Sequence, residues 1–116
     1  MLASLENKFT VHRNLPHHSA AKAGATMVMK ELARAYGLHG IHVNAIAPGA
    51  IPGGGFSADP ATLIDKIAPG RVGTPEDVGN AAIALLSNRF SAYVTGTTLV
   101  VDGGLALFNW IAPPNN

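Results

Sequence analysis

Between residues 19 and 36 the apolar positions recur at helical intervals. Ala21, Ala25, Val28, Leu32 and Ala35 follow one spacing, and Lys22, Thr26, Lys30 and Arg34 form a narrow polar stripe at four-residue steps. This pattern predicts a helix over Ser19–Tyr36, with Gly37 at its end. Nearly every other position on it is apolar or small, so the helix is expected to be covered on more than one side. Ala20, Ala21, Ala23, Gly24 and Ala25 leave room for a second backbone to approach closely. The segment before it, residues 5–17, shows no period, contains Pro16 and reads as a loop; residues 1–4 read as the stub of a strand.

Beyond the helix the pattern changes. Residues 40–46 (G-I-H-V-N-A-I) and 93–101 (Y-V-T-G-T-T-L-V-V) read as strands. A long connection separates them from one another, with a lid region at 52–73; Asp59-Pro60 opens a brief helix inside it. Thr74-Pro75-Glu76-Asp77 is a strong helix start, with a capping hydroxyl, a proline and two acids in the first turn. Val78, Ala81, Ala82 and Leu85 form the inner face of that helix, and Ile83 and Leu86 widen it. Two strands joined across a helix favour a parallel pair.

Composition bears on what surrounds these elements. The chain has 116 residues, enough for one domain at most. Charged residues are 13% of it, against about 25% in ordinary soluble domains. Some apolar surface is therefore expected to meet a partner chain or a further segment. The net charge of +1, with scattered Lys and Arg, argues against a nucleic-acid binder. No run reaches the ~20 apolar residues of a membrane span. The opening M-L-A-S-L-E-N-K does not have the pattern of a signal peptide, and the absence of cysteine excludes disulfides and thiolate metal sites. A cytoplasmic location is the expectation. His12, His17, His18, His39 and His42 do not show the spacing of metal ligands, so no metal site is expected. Phe108 and Trp110 anchor the tail either on a neighbouring subunit or on their own chain.

Four motifs stand in order: H-S-A-A-K-A-G at 18–24, G-I-H-V-N-A-I-A-P-G at 40–49, G-T-P-E-D-V at 73–78 and Y-V-T-G-T-T-L-V-V-D-G-G at 93–104. Together, over Ser4–Gly104, the chain resembles the C-terminal half of the short-chain dehydrogenase/reductase family, and its sugar-dehydrogenase-like members in particular. The resemblance implies an α/β fold: the C-terminal part of a doubly wound parallel, Rossmann-type sheet, with two or three strands and flanking helices in a single partial domain over 1–116. It implies NAD or NADP as cofactor and an alcohol, carbonyl or sugar substrate. It also implies a homo-oligomer, or association with a full-length relative, through the two helices and the last strand.

The site residues follow from the same resemblance. In the family a tyrosine transfers the proton, and a lysine one helical turn later favours the phenolate and bonds the nicotinamide ribose. Lys22 matches the lysine, and His18 stands where the tyrosine belongs. Histidine can exchange protons near neutral pH; the alternative is a decayed site with an ordinary histidine. Ser4 is the nearest candidate for the substrate-binding serine, although a gapless count from His18 lands on Leu5. Pro48, Gly49 and Ile51 match the segment that passes the nicotinamide; Gly53 stands where a threonine often occurs. The glycine-rich phosphate loop has no counterpart, since Gly53–Gly55 lies in the lid. The expected function is that of an NAD(P)-dependent oxidoreductase impaired as an isolated chain. The alternative is a non-catalytic module for self-association or docking.

Overall fold

The computed structural model describes residues 16–53 and 59–107. Its elements are helix α1 (Pro16–Tyr36), strand β1 (Ala45–Pro48), helix α2 (Pro75–Leu86), the short helix α3 (Asn88–Ser91) and strand β2 (Thr98–Val101), with a 3₁₀ turn after α1, two between β1 and α2 and one after β2. The two strands pair in parallel, Ala45 opposite Thr98 through Pro48 opposite Val101. The expected α/β arrangement, a parallel pair with flanking helices, is what the described residues form. The strand stub at residues 1–4 and the tail anchors Phe108 and Trp110 lie outside the described residues.

α2 forms where the capping residues place it. Thr74 takes an extended conformation and its hydroxyl accepts from the Asp77 amide at 3.2 Å, while the Asp77 carboxylate accepts from the Thr74 amide at 2.8 Å. This reciprocal pair satisfies two helix-end donors, and Pro75 fills the first turn, where no donor is needed. Val78, Ala81, Ala82 and Leu85 are half-buried, as their spacing requires. Ile83 and Leu86 do not widen the buried face: both are exposed, at 65% and 84%. Asp59 likewise begins the brief helix, its carboxylate accepting from the Ala61 amide at 3.0 Å ahead of the 3₁₀ turn Pro60–Thr62.

Two features of α1 differ from the sequence expectation. α1 starts at Pro16, not Ser19, so Pro16 and His17 belong to the helix and not to a loop. Proline is suited to a first turn, because its missing amide would have no partner there. At the other end the helix passes into a 3₁₀ turn over Gly37–His39, and the left-handed residue that closes it is Gly40 (φ 71°), whose amide donates to the Gly37 carbonyl. Gly37 is therefore not the terminator.

The strands are shorter than the β-rich runs, for one shared reason. Gly96 is left-handed (φ 73°) and breaks the run before Thr98. The Gly96 amide still donates to the Val43 carbonyl at 2.8 Å, but side chains make the other links at this level. The Val43 amide donates to Thr95 Oγ1 at 3.0 Å, Asn44 Nδ2 donates to the Val94 carbonyl at 3.1 Å, and the Thr97 amide donates to Asn44 Oδ1 at 3.2 Å. Regular pairing begins only at the Ala45 amide, which donates to the Thr97 carbonyl at 2.9 Å.

The core lies around β1. Ala45, Ile46 and Ala47 are buried, with Ala50, Ile67, Met29 and Ala33. α1 turns inward a face other than the one its apolar spacing suggests. Met29 and Ala33 are buried and His18, Lys22, Ala25 and Thr26 half-buried, whereas Ala21, Val28, Leu32 and Ala35 are exposed. A Cβ placed on Gly96 would touch the Ala33 Cβ at 3.4 Å, so that glycine lets the helix pass close to the turn before β2. Half of the expected polar stripe, Lys22 and Thr26, thus lies on the inner face, and Lys30 and Arg34 remain exposed.

Candidate functional site

The site residues expected from the sequence fall into two groups. His18 and Lys22 sit one turn apart in the first half of α1, both half-buried, and the Nε2 atom of His18 is out of contact with solvent. The backbone is helical through both, so the two side chains share a face. The Lys22 carbonyl accepts from Thr26 Oγ1 at 3.1 Å, which fastens the next turn of the same face. Ser4 lies outside the described residues.

The second group follows β1. Pro48 is the last residue of the strand and Gly49 is bound by its amide to the Val101 carbonyl at 3.0 Å. Gly49 has no space for a side chain: a Cβ there would stand 2.7 Å from both Cα and Cβ of Asp102. Ala50 is buried and Ile51 half-buried. The chain leaves the sheet here, at the carboxyl end of a parallel strand, which is where open α/β sheets bind ligands.

Behind Ile51 lies a cavity of about 390 Å³. Ile51, Ile67, Pro69 and Val100 supply apolar wall, and Arg71, Asp77 and Asp102 bring charged groups to it. His18 and Lys22 are not in this wall. Its charged groups are held firmly. Arg71 forms a two-pronged bond to Asp77, Nη1 to Oδ2 at 2.7 Å and Nη2 to Oδ1 at 3.2 Å, and also donates to the Val72 carbonyl at 3.0 Å. The Arg71 guanidinium, first through its hydrogen bond, and then the Thr74 amide hold the Asp77 carboxyl well below the usual carboxylate range. The same hydrogen bond raises Arg71 above its ordinary value. Asp102 closes the exit of β2: its carboxylate accepts from the Gly104 and Ala106 amides, each at 2.8 Å.

Arg71, Gly73 and Asp102 were not among the site residues expected from the sequence, although Gly73 and Asp102 fall within two of its motifs. Arg71 is a lone cation six positions before the acid of a capping box, and Asp102 precedes two glycines, a usual setting for an aspartate that bonds its own downstream backbone. Those were the available signals. Among the described residues no three His, Asp or Glu side chains gather as a metal site would require, and no helix is long and apolar enough to cross a membrane.

Ile51 borders a cavity at the strand's carboxyl end, and Lys22 lies on the inner face of α1 outside that cavity's wall. The sequence offers no strand–glycine-loop–helix unit for the diphosphate.

Residues 1–106 match a family model described as enoyl-(acyl carrier protein) reductase. The chain is 45% identical over 113 residues to 3beta-hydroxysteroid dehydrogenase 1 of Eggerthella lenta, covering 88% of this chain and 43% of that protein. It is 45% identical over 94 residues to the 3-oxoacyl-[acyl-carrier-protein] reductase FabG of Chlamydia muridarum, covering 78% of this chain and 38% of that one. The crystal structure of a short chain dehydrogenase from Bacillus anthracis superposes with a TM-score of 0.82 at 35% identity, over 94% of this chain and 44% of the other. The chain thus spans less than half the length of each of these relatives.

Proposed function

Since this chain belongs to the short-chain dehydrogenase/reductase family, we propose that it serves NAD(P)-dependent oxidation of an alcohol or sugar hydroxyl, or the reverse reduction of a carbonyl, and that these residues form the substrate-side part of the site. The observation that carries this reading is the placement of His18 and Lys22. The sequence motif matches them to the family's proton-transfer pair, and both are half-buried on the inner face of α1, which supports that match.

A bound nicotinamide would supply the hydride chemistry, taking hydride from an alcohol carbon or giving it to a carbonyl. The protein's own share is to hold the substrate oxygen and to move its proton. His18 receives the hydroxyl proton on oxidation and returns it on reduction. The Lys22 ammonium, one turn on, would bond the nicotinamide ribose and support the relay. The backbone from Pro48 to Ile51 would border the nicotinamide, and the lid region sets the choice of substrate. Ser4 is the residue assigned to the substrate oxygen. A cytoplasmic setting accords with this chemistry.

These 116 residues alone are expected to turn over slowly or not at all, because the diphosphate grip is not part of them. The test supplies it: the chain is combined with the dinucleotide-binding half of a relative, and nicotinamide reduction is followed with a panel of alcohols and sugars. Turnover that is abolished by Lys22→Met and raised by His18→Tyr supports the reading. A reconstituted protein that binds NAD(P) yet oxidises nothing, with either His18 or tyrosine, refutes it.

A second reading, association with another copy or a full-length relative, draws on a different observation. Ile83, Leu86, Phe90 and Tyr93 are all largely exposed along α2 and the turn after it, and Met27, Val28, Leu32 and Tyr36 are exposed on α1. Apolar surface of this extent is characteristic of an interface. Light scattering that finds a monomer at every accessible concentration, alone and with a full-length relative, would rule this out.

A further inference from the structure

The lid's return to α2 is tied directly to the segment that follows β1. The Gly73 amide donates to the Ala50 carbonyl at 2.9 Å. A Cβ on Gly73 would overlap the Cδ1 methyl of Ile51, and would stand 3.8 Å from Asp77 Oδ2. One glycine therefore lies between the acid at the start of α2 and the residue assigned to the nicotinamide. Two positions before it, Arg71 grips Asp77 with both prongs and bonds the Val72 carbonyl.

The grip is not needed to start the helix. Thr74 and Asp77 satisfy each other's amides without Arg71. What Arg71 adds is a fixed distance between α2 and residues 71–73. A planar, two-pronged guanidinium sets orientation as well as distance, which a lysine cannot do. We propose that Arg71 is a positioning residue: through Asp77 and Gly73 it sets where the backbone and side chain of Ile51 lie, and so shapes the nicotinamide edge of the site. This rests on the assignment of Ile51 given above.

The consequence is a path from an exposed ion pair to a half-buried side chain. Arg71 is 58% exposed and touches neither Ala50 nor Ile51 through any of its hydrogen bonds. Its effect on the site passes through Gly73. The Ile51 methyl occupies the space that a side chain at 73 would take. Alanine at 73 pushes that methyl aside while leaving the Arg71–Asp77 grip in place.

The experiment is amide exchange and methyl NMR on the whole chain, comparing wild type with Arg71→Ala, Arg71→Lys and Gly73→Ala. In Arg71→Ala the Gly73 amide exchanges at least roughly threefold faster, the scale of an exposed ion pair. The Ile51 methyl resonance moves, and the Ala45 and Gly49 amides of the parallel ladder keep their protection. Arg71→Lys restores only part of the Gly73 protection. Gly73→Ala shifts the Ile51 resonance without loss at Ala45. Unchanged Gly73 exchange in Arg71→Ala, or equal acceleration at Ala45 and Gly49, overturns the proposal. An Arg71→Lys chain indistinguishable from wild type overturns it as well, and remains measurable if Arg71→Ala fails to fold. None of these signals requires turnover, so a failed reaction assay and a failed positioning role are separate results.

Discussion

Replacing Asn44 by alanine cuts the side-chain bridge that joins the two strand entries. Asn44 Nδ2 donates to the Val94 carbonyl at 3.1 Å and Oδ1 accepts from the Thr97 amide at 3.2 Å, linking positions 50 and 53 residues away. The bond to Val94 is partly buried and that to Thr97 exposed, so the freed Val94 carbonyl is only partly rehydrated while the Thr97 amide meets water. Each bond contributes about 1 kcal/mol net, and an unsatisfied, partly buried partner costs further, so Asn44→Ala should lose about 2–3 kcal/mol. That is a large part of the roughly 5–15 kcal/mol by which small domains are stable. Urea unfolding followed by circular dichroism measures it, with the slope m expected to stay unchanged. Thr95→Val is the control. It removes one exposed bond, from the Val43 amide at 3.0 Å, and should cost about 0.5 kcal/mol. A loss in Asn44→Ala no greater than in Thr95→Val would refute the reasoning. The entries to the two strands would then be held by their backbone bonds alone.

Further outcomes are expected. Gly49→Ala should lower the melting temperature clearly, because its Cβ meets the Asp102 backbone; overpacking of this kind costs about 1–3 kcal/mol. Gly24→Ala, in α1 with nothing within 4 Å of the added carbon, should raise stability by about 0.5–1 kcal/mol, and a drop there would show a contact the fold does not contain. Thr98 Oγ1 is buried without a hydrogen-bond partner among the described residues, so Thr98→Val should be neutral or stabilising in the same melts. The Asp77 carboxyl is depressed on folding, so its contribution is fully present above the ordinary carboxylate value of about 4 and falls away as the pH drops below it. Acid unfolding of Asp77→Asn should therefore be less steep than wild type below about pH 4, with no difference in pH dependence between pH 6 and 8.

Local signals were legible in the chain itself. Thr74, Pro75 and Asp77 determine the start of α2 because a cap is built from residues three apart, and Asp59-Pro60 begins its turn for the same reason. The ordered set of motifs also carried the fold class and the family, since the parallel pairing of 45–48 with 98–101 is common to that architecture. What the sequence misjudged depended on distant partners. The strand at 40–46 gave way to β1 at 45–48 because Asn44 bonds across to Val94 and Thr97, and Gly96 turns left-handed against α1. Neither fact is visible within a window of neighbouring residues.

The facing of α1 is the clearest division between the two sources. Its helical nature followed from spacing, but a helix made largely of alanine and other apolar residues has no single inward stripe that hydropathy can identify. Only packing chose Met29 and Ala33 as the buried positions, and with them brought His18 and Lys22 inward and left Val28 and Leu32 exposed. The Arg71–Asp77 grip is of the same kind. Sequence supplied the cap on one side and the glycine on the other, but the ion pair exists because the lid folds back on α2. Periodicity and capping act over one or two turns, whereas the choice of face and of ionic partner is made by surfaces that meet only when the chain has closed.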